Sequence, residues 1–205
     1  EKTTEAIILT LMSTSGFMLM VDSENLIMLF IGLEIGSISL YALAGLNRVD
    51  KLSNEASLKY FLLGSLASCI FIYGVSLVYV SFSVLSVYDF ATGVGFVGAD
   101  SVPLTTKLGV ILIFIGLLFK IAAAPFQSWA PDVYQGSPTG YVGYMASIAK
   151  ASAFIVIARL CQVSLRFMPN EFDSFFLFVV ILSVVIGSIF ASVQDDLKRL
   201  LAYSG

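Results

Sequence analysis

The sequence contains no histidine and only two cysteines among its 205 residues. Without histidine the chain lacks the usual proximal ligand of a haem iron, which argues against haem binding. Cys69 and Cys161 share no short spacing, so we expect apolar structural thiols rather than metal ligands or a disulfide. The sequence therefore gives no support to a metal or redox site in this chain.

Charge is also scarce: 12% of the residues are charged, 58% are hydrophobic, and the mean hydropathy is +0.94. These values lie outside the usual range of soluble globular domains. Apolar runs near the length that crosses a bilayer occur at 5–21, 25–46, 57–84, 106–124, 138–162 and 174–193. None alternates like a barrel strand, and backbone in lipid must satisfy its own hydrogen bonds. The sequence therefore predicts an all-α integral membrane protein with about six transmembrane helices.

Both ends of the sequence carry further expectations. The opening residues, EKTTEAIILTLMSTSG, have neither the basic region nor the cleavage site of a signal peptide, so we expect no removable segment there. The closing residues, DDLKRLLAYSG, predict the start of a seventh helix. Asp195 and Asp196 would lie in its first turn, where negative charge suits the helix dipole.

Basic residues in the short loops predict the orientation of the spans. One side would carry Lys2, Arg48, Lys51, Lys198 and Arg199, with Lys59 close by. The other side would carry Lys107 and Arg166, with Arg159 near it. By the positive-inside rule the richer side faces a cytoplasm, a mitochondrial matrix or a plastid stroma.

Residues 93–98, GVGFVG, match the G-x-G-x-x-G string of dinucleotide-binding proteins. That motif needs a preceding strand and a following helix, whereas here we expect a loop between two hydrophobic spans. We assign no nucleotide site to it.

Three ionisable residues lie deep inside predicted spans: Glu34, Lys120 and Lys150. A charge at mid-membrane costs about 2.5–3.5 kcal/mol even on the lenient insertion scale, so partners or water must compensate. Desolvation disfavours the charged form of a side chain and a nearby opposite charge favours it, so a buried lysine with a movable partner can exchange a proton. A proton relay is our preferred reading, and snorkelling is the alternative, more credible near span ends at Lys59, Lys107 and Arg159.

Pro125 follows Lys120 closely and adds a backbone argument. It removes the hydrogen bond to the carbonyl of Ile121, so we expect the helix to break or kink just after Lys120. Backbone freed at membrane depth must be covered by protein or a water-filled cavity. The alternative, left open by the sequence, is that Pro125 ends the span before an interfacial segment anchored by Trp129.

Several segments, in this order and spacing, resemble subunit 2 (the N-type subunit) of respiratory complex I, the proton-translocating NADH:quinone oxidoreductase. They are GLEIGSISLYAL, EASLKYFLLGSLAS, FKIAAAPFQSWAPDVYQGSPT, the helix of Lys150 and DDLKRLLAYSG. The most specific of them is APDVYQGSPT, which differs from the sequence that the M- and L-type subunits and related cation/proton antiporters have after the tryptophan. The resemblance covers nearly the whole chain.

The resemblance implies an antiporter-like fold of two inverted five-helix repeats, each with one interrupted helix. Residues 1–205 would form a single membrane domain in which 5–162 are the first repeat and 174–205 begin an incomplete second one. A separate chain would carry the C-terminal half if the gene is split; otherwise the sequence is partial.

The resemblance also implies roles for individual residues. Glu34, Lys120 and Lys150 would form the proton relay, Lys59 would be a further relay residue or the point where protons arrive, and Pro125 would cause the helix break. Two departures stand out: Gln127 replaces a frequent histidine, and Gly140 replaces a usual proline.

The implied function is proton movement coupled to quinone reduction elsewhere in the complex, within a membrane-arm subunit that has no active site of its own. The chain itself would hold no cofactor or metal, whereas NADH, FMN, iron–sulfur clusters and quinone would bind to other subunits. We expect other membrane-arm subunits and lipids as partners, no nucleic acid, and a location in the mitochondrial inner membrane or, alternatively, a bacterial plasma membrane. An architectural half-subunit without a proton path and a subunit of a related antiporter are the rival hypotheses.

Overall fold

The computed structural model describes residues 2–98, 101–163 and 169–205, which form ten α-helices and one π-helical turn. The helices are α1 (Lys2–Asp22), α2 (Leu26–Ala44), α3 (Lys51–Phe82), α4 (Val87–Val97), α5 (Leu104–Ile121), α6 (Trp129–Gly136), α7 (Thr139–Tyr144), α8 (Lys150–Val163), α9 (Pro169–Ser192) and α10 (Leu197–Ser204). The π-turn, Met145–Ala149, joins α7 to α8 into one continuous span. Arg166 and the side chain of Lys2 lie outside the described part of the chain.

Six helical segments of this fold are long and apolar enough to cross a membrane. They are Thr3–Asp22, Leu26–Ala44, Lys51–Phe82, Leu104–Ile121, Thr139–Val163 and Phe172–Ser192. Each coincides with one of the apolar runs of the sequence, so the predicted all-α membrane architecture is confirmed.

Polar side chains fix where several helices begin. Asn25, Asp50 and Ser86 each accept a hydrogen bond from a backbone N–H in the first turn of the helix that follows. The predicted last helix forms, but Asp195 and Asp196 lie just before it and not in its first turn: α10 begins at Leu197, and Asp196 precedes it in extended backbone. From there its carboxylate accepts the N–H of Arg199 at 3.1 Å, so Asp196 acts as the N-cap.

The most buried of the six membrane-length helices, α2 and α5, form the centre of the bundle. Of their spans, 56% and 61% of the residues are buried, whereas only 6% of the Phe172–Ser192 span is. The backbones of α1 and α2 approach each other closely at Gly32. A methyl group there would lie only 2.7 Å from the carbonyl oxygen of Gly16. Gly32, two residues before Glu34, therefore serves packing against α1, and α9 lies at the periphery.

The GVGFVG string belongs to a helix, so the loop expected there is wrong. Residues 93–97 form the C-terminal half of α4, which ends before Gly98 at a φ of 81°. The helix forms because Val87, Phe90, Ala91 and Val94 bury one face at helical spacing, which outweighs the cost of the two glycines inside it.

Contacts between the short loops divide the bundle into two ends. At one end, Arg48 pairs with Glu5 at 3.0 Å, and the Lys198 ammonium donates to the carbonyl of Ser137 at 2.9 Å. At the other end, the backbone N–H of Leu26 donates to the carbonyl of Leu85 at 2.9 Å, joining the loops that precede α2 and α4. The basic residues at 48, 51, 198 and 199 therefore share one end, as the orientation argument requires.

Candidate functional site

The interrupted helix consists of α5, residues 122–128 and α6. Helix α5 ends at Ile121, one residue after Lys120, and Ala122 adopts left-handed backbone with a φ of 58°. The N–H groups of Ala122 and Ala123 donate to the carbonyls of Phe119 and Leu118, each at 3.0 Å. This pattern is a Schellman motif, which usually has glycine at the left-handed position, and alanine there costs about 1 kcal/mol. The Ala124–Pro125 peptide that follows is cis.

Side chains from other segments cover the backbone groups next to the break. The indole Nε1 of Trp129 donates to the carbonyl of Phe119 at 3.1 Å, and the N–H of Ala124 donates to the hydroxyl of Ser183 on α9 at 2.9 Å. Trp129 is only 2% exposed, which contradicts the interfacial anchor considered from the sequence. The break is therefore held by protein contacts on both sides.

Lys120 points into the bundle from the last turn of α5. It is 7% exposed, and its Nζ donates to Ser37 Oγ at 2.9 Å and to Tyr41 Oη at 3.0 Å. Both acceptors lie on α2, one helical turn apart. The Nζ also lies 5.5 Å from the centre of the Tyr41 ring. The described contacts of the ammonium are thus neutral hydroxyls.

Glu34 lies on the same helix, three residues before Ser37. Its carboxylate accepts a short hydrogen bond from the hydroxyl of Ser68 on α3. Within the described residues Glu34 and Lys120 form no salt bridge, so the structure places them at one site without direct contact. Ser37, one helical turn after Glu34 on α2, contacts the Lys120 ammonium.

Lys150 is the first residue of α8, immediately after the π-turn. It is 6% exposed, and its Nζ lies 5.9 Å from the centre of the Tyr134 ring on α6. The Tyr134 hydroxyl is buried and has no hydrogen-bond partner among the described residues. A buried polar atom in this position is where an ordered water is expected.

Aromatic rings join the Lys120 and Lys150 positions. Tyr41 meets Tyr60 edge-on at 4.7 Å between ring centres, Tyr60 stacks on Trp129 at 4.6 Å, and Trp129 meets Tyr134 at 6.5 Å. These contacts form a continuous series of side chains: Lys120, Tyr41, Tyr60, Trp129, Tyr134 and Lys150. The sequence analysis gave the two lysines a role in the relay but none of the aromatic residues. A sequence signal existed, because four aromatic residues lie in the same motifs as the predicted site residues.

Lys59 belongs to a separate charged cluster. Its Nζ lies 2.7 Å from carboxylates of both Glu55 and Asp132, and Asp132 also contacts an Nη of Arg199 at 2.6 Å. The cluster joins α3, α6 and α10, and its side chains are partly exposed. Sequence reasoning missed the acid at its centre, Asp132, although it lies within the distinctive APDVYQGSPT segment.

An open cavity of about 730 Å³ lies between α5, α8, α9 and α10. Phe154 and Ile157, four and seven residues after Lys150, contribute to its wall together with Ser183 and Gln127. Gln127, which stands at the expected histidine position, has a buried Oε1 with no hydrogen-bond partner among the described residues. The wall is otherwise mainly apolar.

Comparison with known proteins identifies the family. The family described as NADH:quinone oxidoreductase/Mrp antiporter, transmembrane, matches residues 23–205. The chain belongs to this family. A curated relative, NADH-quinone oxidoreductase subunit N 1 of Chloroherpeton thalassium, is 42% identical over 205 residues, which cover 98% of this chain and 42% of the relative.

Solved structures agree with the family's fold. A chain of respiratory complex I from Thermus thermophilus superposes with a TM-score of 0.82 at 38% identity, over 98% of this chain and 42% of that one. A chain of the Mrp complex from Dietzia sp. gives a TM-score of 0.83 at 20% identity, over 95% and 36% respectively, which shows the shared fold alone. The 205-residue chain thus spans about two fifths of the length of the relatives it matches.

Proposed function

We propose that this chain is part of the N-type subunit (subunit 2) of a proton-translocating NADH:quinone oxidoreductase and that it moves protons through Glu34, Lys120 and Lys150. The observation that carries the proposal is the environment of Lys120, a buried amine beside a helix break whose partners are hydroxyls. Hydroxyls can bond an amine in either protonation state, because they both accept and donate. A site of this kind can hold the lysine with or without its proton.

In the proposed sequence of events, a change in neighbouring subunits alters the influence of Glu34 on Lys120. Lys120 then gains or releases a proton, and Lys150 passes it onward. Glu34 acts through space and through α2, since Ser37 on that helix bonds the Lys120 ammonium. The chain performs no redox chemistry in this proposal: NADH, FMN, iron–sulfur clusters and quinone bind to other subunits.

A second half of the subunit completes the proposal. The relatives are more than twice as long as this chain, and the open cavity and the exposed α9 offer a surface beside the Lys150 helix. We propose that a C-terminal half, either a separate chain or a continuation of this one, covers that surface and receives the proton. Other membrane-arm subunits and lipids cover the remaining exposed faces.

The proposed location is an energy-conserving membrane. The mitochondrial inner membrane is the location expected with the resemblance, whereas the curated relative from Chloroherpeton thalassium favours the alternative, a bacterial plasma membrane. Cell fractionation with an antibody to this chain separates these two locations.

The experiment replaces Lys120 by Gln and Glu34 by Gln, each alone, in the assembled complex. Proton pumping is measured in sealed vesicles with a fluorescent pH-gradient dye, together with NADH oxidation and the amount of complex on a native gel. We expect each variant to assemble and to pump at least about tenfold more slowly, as expected when an acid–base group is lost. The matched control is Lys51→Gln, at an exposed position in the first turn of α3. Normal pumping by either site variant would refute the proposed relay and favour the architectural hypothesis.

A further inference from the structure

Lys120 is held by two hydroxyls that differ in what they can donate. Ser37 and Tyr41 are four residues apart on α2, so their side chains lie on the same face of that helix. Both accept a hydrogen bond from the Lys120 ammonium, at 2.9 Å and 3.0 Å. As acceptors the two are equivalent, and the difference appears when the amine loses its proton.

Ser37 has already used its one proton. Its Oγ lies 2.5 Å from the carbonyl oxygen of Leu33, one turn earlier on α2. A carbonyl oxygen only accepts, so the serine hydroxyl must be the donor in that contact. Ser37 can therefore accept a hydrogen bond from Lys120 but has no proton left to offer to a neutral amine.

Tyr41 has its proton available. It is 4% exposed and accepts a hydrogen bond from Lys120, and the neighbouring Ser37 hydroxyl is the one other side chain recorded as hydrogen-bonding with it among the described residues. Its ring is fixed by edge-on contacts with Tyr60 at 4.7 Å and Phe61 at 5.9 Å, so the hydroxyl oxygen stays in place while its proton can rotate. When Lys120 is neutral, its nitrogen has a lone pair facing this hydroxyl.

We propose that Tyr41 is a positioning residue for the Lys120 amine in both of its protonation states: its hydroxyl accepts a hydrogen bond from charged Lys120 and donates one to neutral Lys120. The amine then keeps two hydrogen bonds in both states, giving one to Ser37 throughout. No covalent bond forms or breaks at Tyr41, since only the direction of the hydrogen bond reverses. This inference rests on the proposed function, in which Lys120 changes its protonation state.

The test compares three single variants in the assembled complex. Tyr41→Phe removes the hydroxyl and keeps the ring, Ser37→Ala removes the hydroxyl that only accepts from Lys120, and Tyr73→Phe is the matched control at a position that is 59% exposed. We expect Tyr41→Phe to slow pumping about tenfold, the effect of one buried hydrogen-bonding group left without a partner. Ser37→Ala should slow it less, and Tyr73→Phe should leave it unchanged.

A fourth variant separates hydrogen bonding from ring packing. Incorporation of 4-aminophenylalanine at position 41 restores a group that donates and accepts, so we expect pumping within about threefold of the wild type. Pumping by this variant at the slow rate of Tyr41→Phe would refute the proposal, and so would wild-type pumping by Tyr41→Phe. Equal losses in Ser37→Ala and Tyr41→Phe would also refute it, because acceptors alone would then matter.

Lys120→Gln, measured alongside, distinguishes the two levels of inference. If Lys120→Gln stops pumping while Tyr41→Phe does not, the relay stands and the role of Tyr41 is wrong. If Lys120→Gln itself pumps normally, the proposed function is wrong.

Discussion

A single methyl group added to α3 at Gly64 should displace Tyr41 and so disturb the Lys120 site. A methyl added at Gly64 would overlap the Tyr41 hydroxyl and would lie 2.7 Å from the ring carbon that carries it. Carbon atoms in ordinary contact are about 3.5 Å apart, so the ring end of Tyr41 must retreat by at least about 0.8 Å. That retreat strains or breaks the 3.0 Å hydrogen bond from Lys120.

Two effects of Gly64→Ala follow, and they are measured separately. Overpacking in a buried site costs about 1–3 kcal/mol, seen as earlier thermal inactivation of the purified complex. Loss of a hydrogen bond from a charged donor costs about 1.5–3 kcal/mol, so pumping should fall by about tenfold or more. Pumping is followed in sealed vesicles and normalised to the amount of assembled complex.

The double variant Gly64→Ala with Tyr41→Phe identifies the cause. Removing the hydroxyl relieves the closest contact, so thermal stability should recover while pumping stays slow. Gly143→Ala is the matched control, because a methyl group there meets no atom within 4 Å. Wild-type pumping by Gly64→Ala, or full pumping by the double variant, would refute the reasoning.

Two further variants test the contacts that hold the interrupted helix. Asp132→Asn leaves the cations of Lys59 and Arg199 without their shared carboxylate. Because the cluster is partly exposed, we expect the complex to lose about 1–2 kcal/mol of stability, seen as thermal inactivation at a lower temperature in low salt. An unchanged inactivation temperature would contradict this. Ser183→Ala removes the acceptor of the Ala124 N–H at a cost of about 1 kcal/mol, so hydrogen exchange in residues 122–128 should accelerate about fivefold. The control Ser76→Ala removes a hydroxyl that is bonded only within α3, and it should leave this exchange rate unchanged.

The spans and the position of the helix break were accessible from the sequence because they depend on local chemistry. Apolar length predicts a membrane helix, and Pro125 lacks the N–H that an uninterrupted helix needs. Helix α6 was not anticipated, since a proline such as Pro131 usually interrupts a helix. In the structure Pro131 is the third residue of α6, where the N–H groups have no partner within the helix and a proline is tolerated.

The partners of the buried charges were not accessible, because they depend on which faces of different helices meet. Helix α2 is apolar nearly all round, so its sequence does not indicate that Ser37 and Tyr41 face α5. For the same reason the sequence indicated Glu34 and Lys120 as relay residues without the hydroxyls that the ammonium contacts, which lie one turn and two turns beyond Glu34 on α2.

The π-turn before Lys150 shows that the direction of this lysine is set by residues without charge. A π-turn contains one residue more than the corresponding α-turn, and one residue corresponds to about 100° of rotation around a helix axis. A related sequence with one residue fewer in the segment Met145–Ala149 would keep the lysine but turn its ammonium away from the Tyr134 ring. The presence of a lysine in an alignment column is therefore insufficient to assign this role: the length of the uncharged segment before it must match as well.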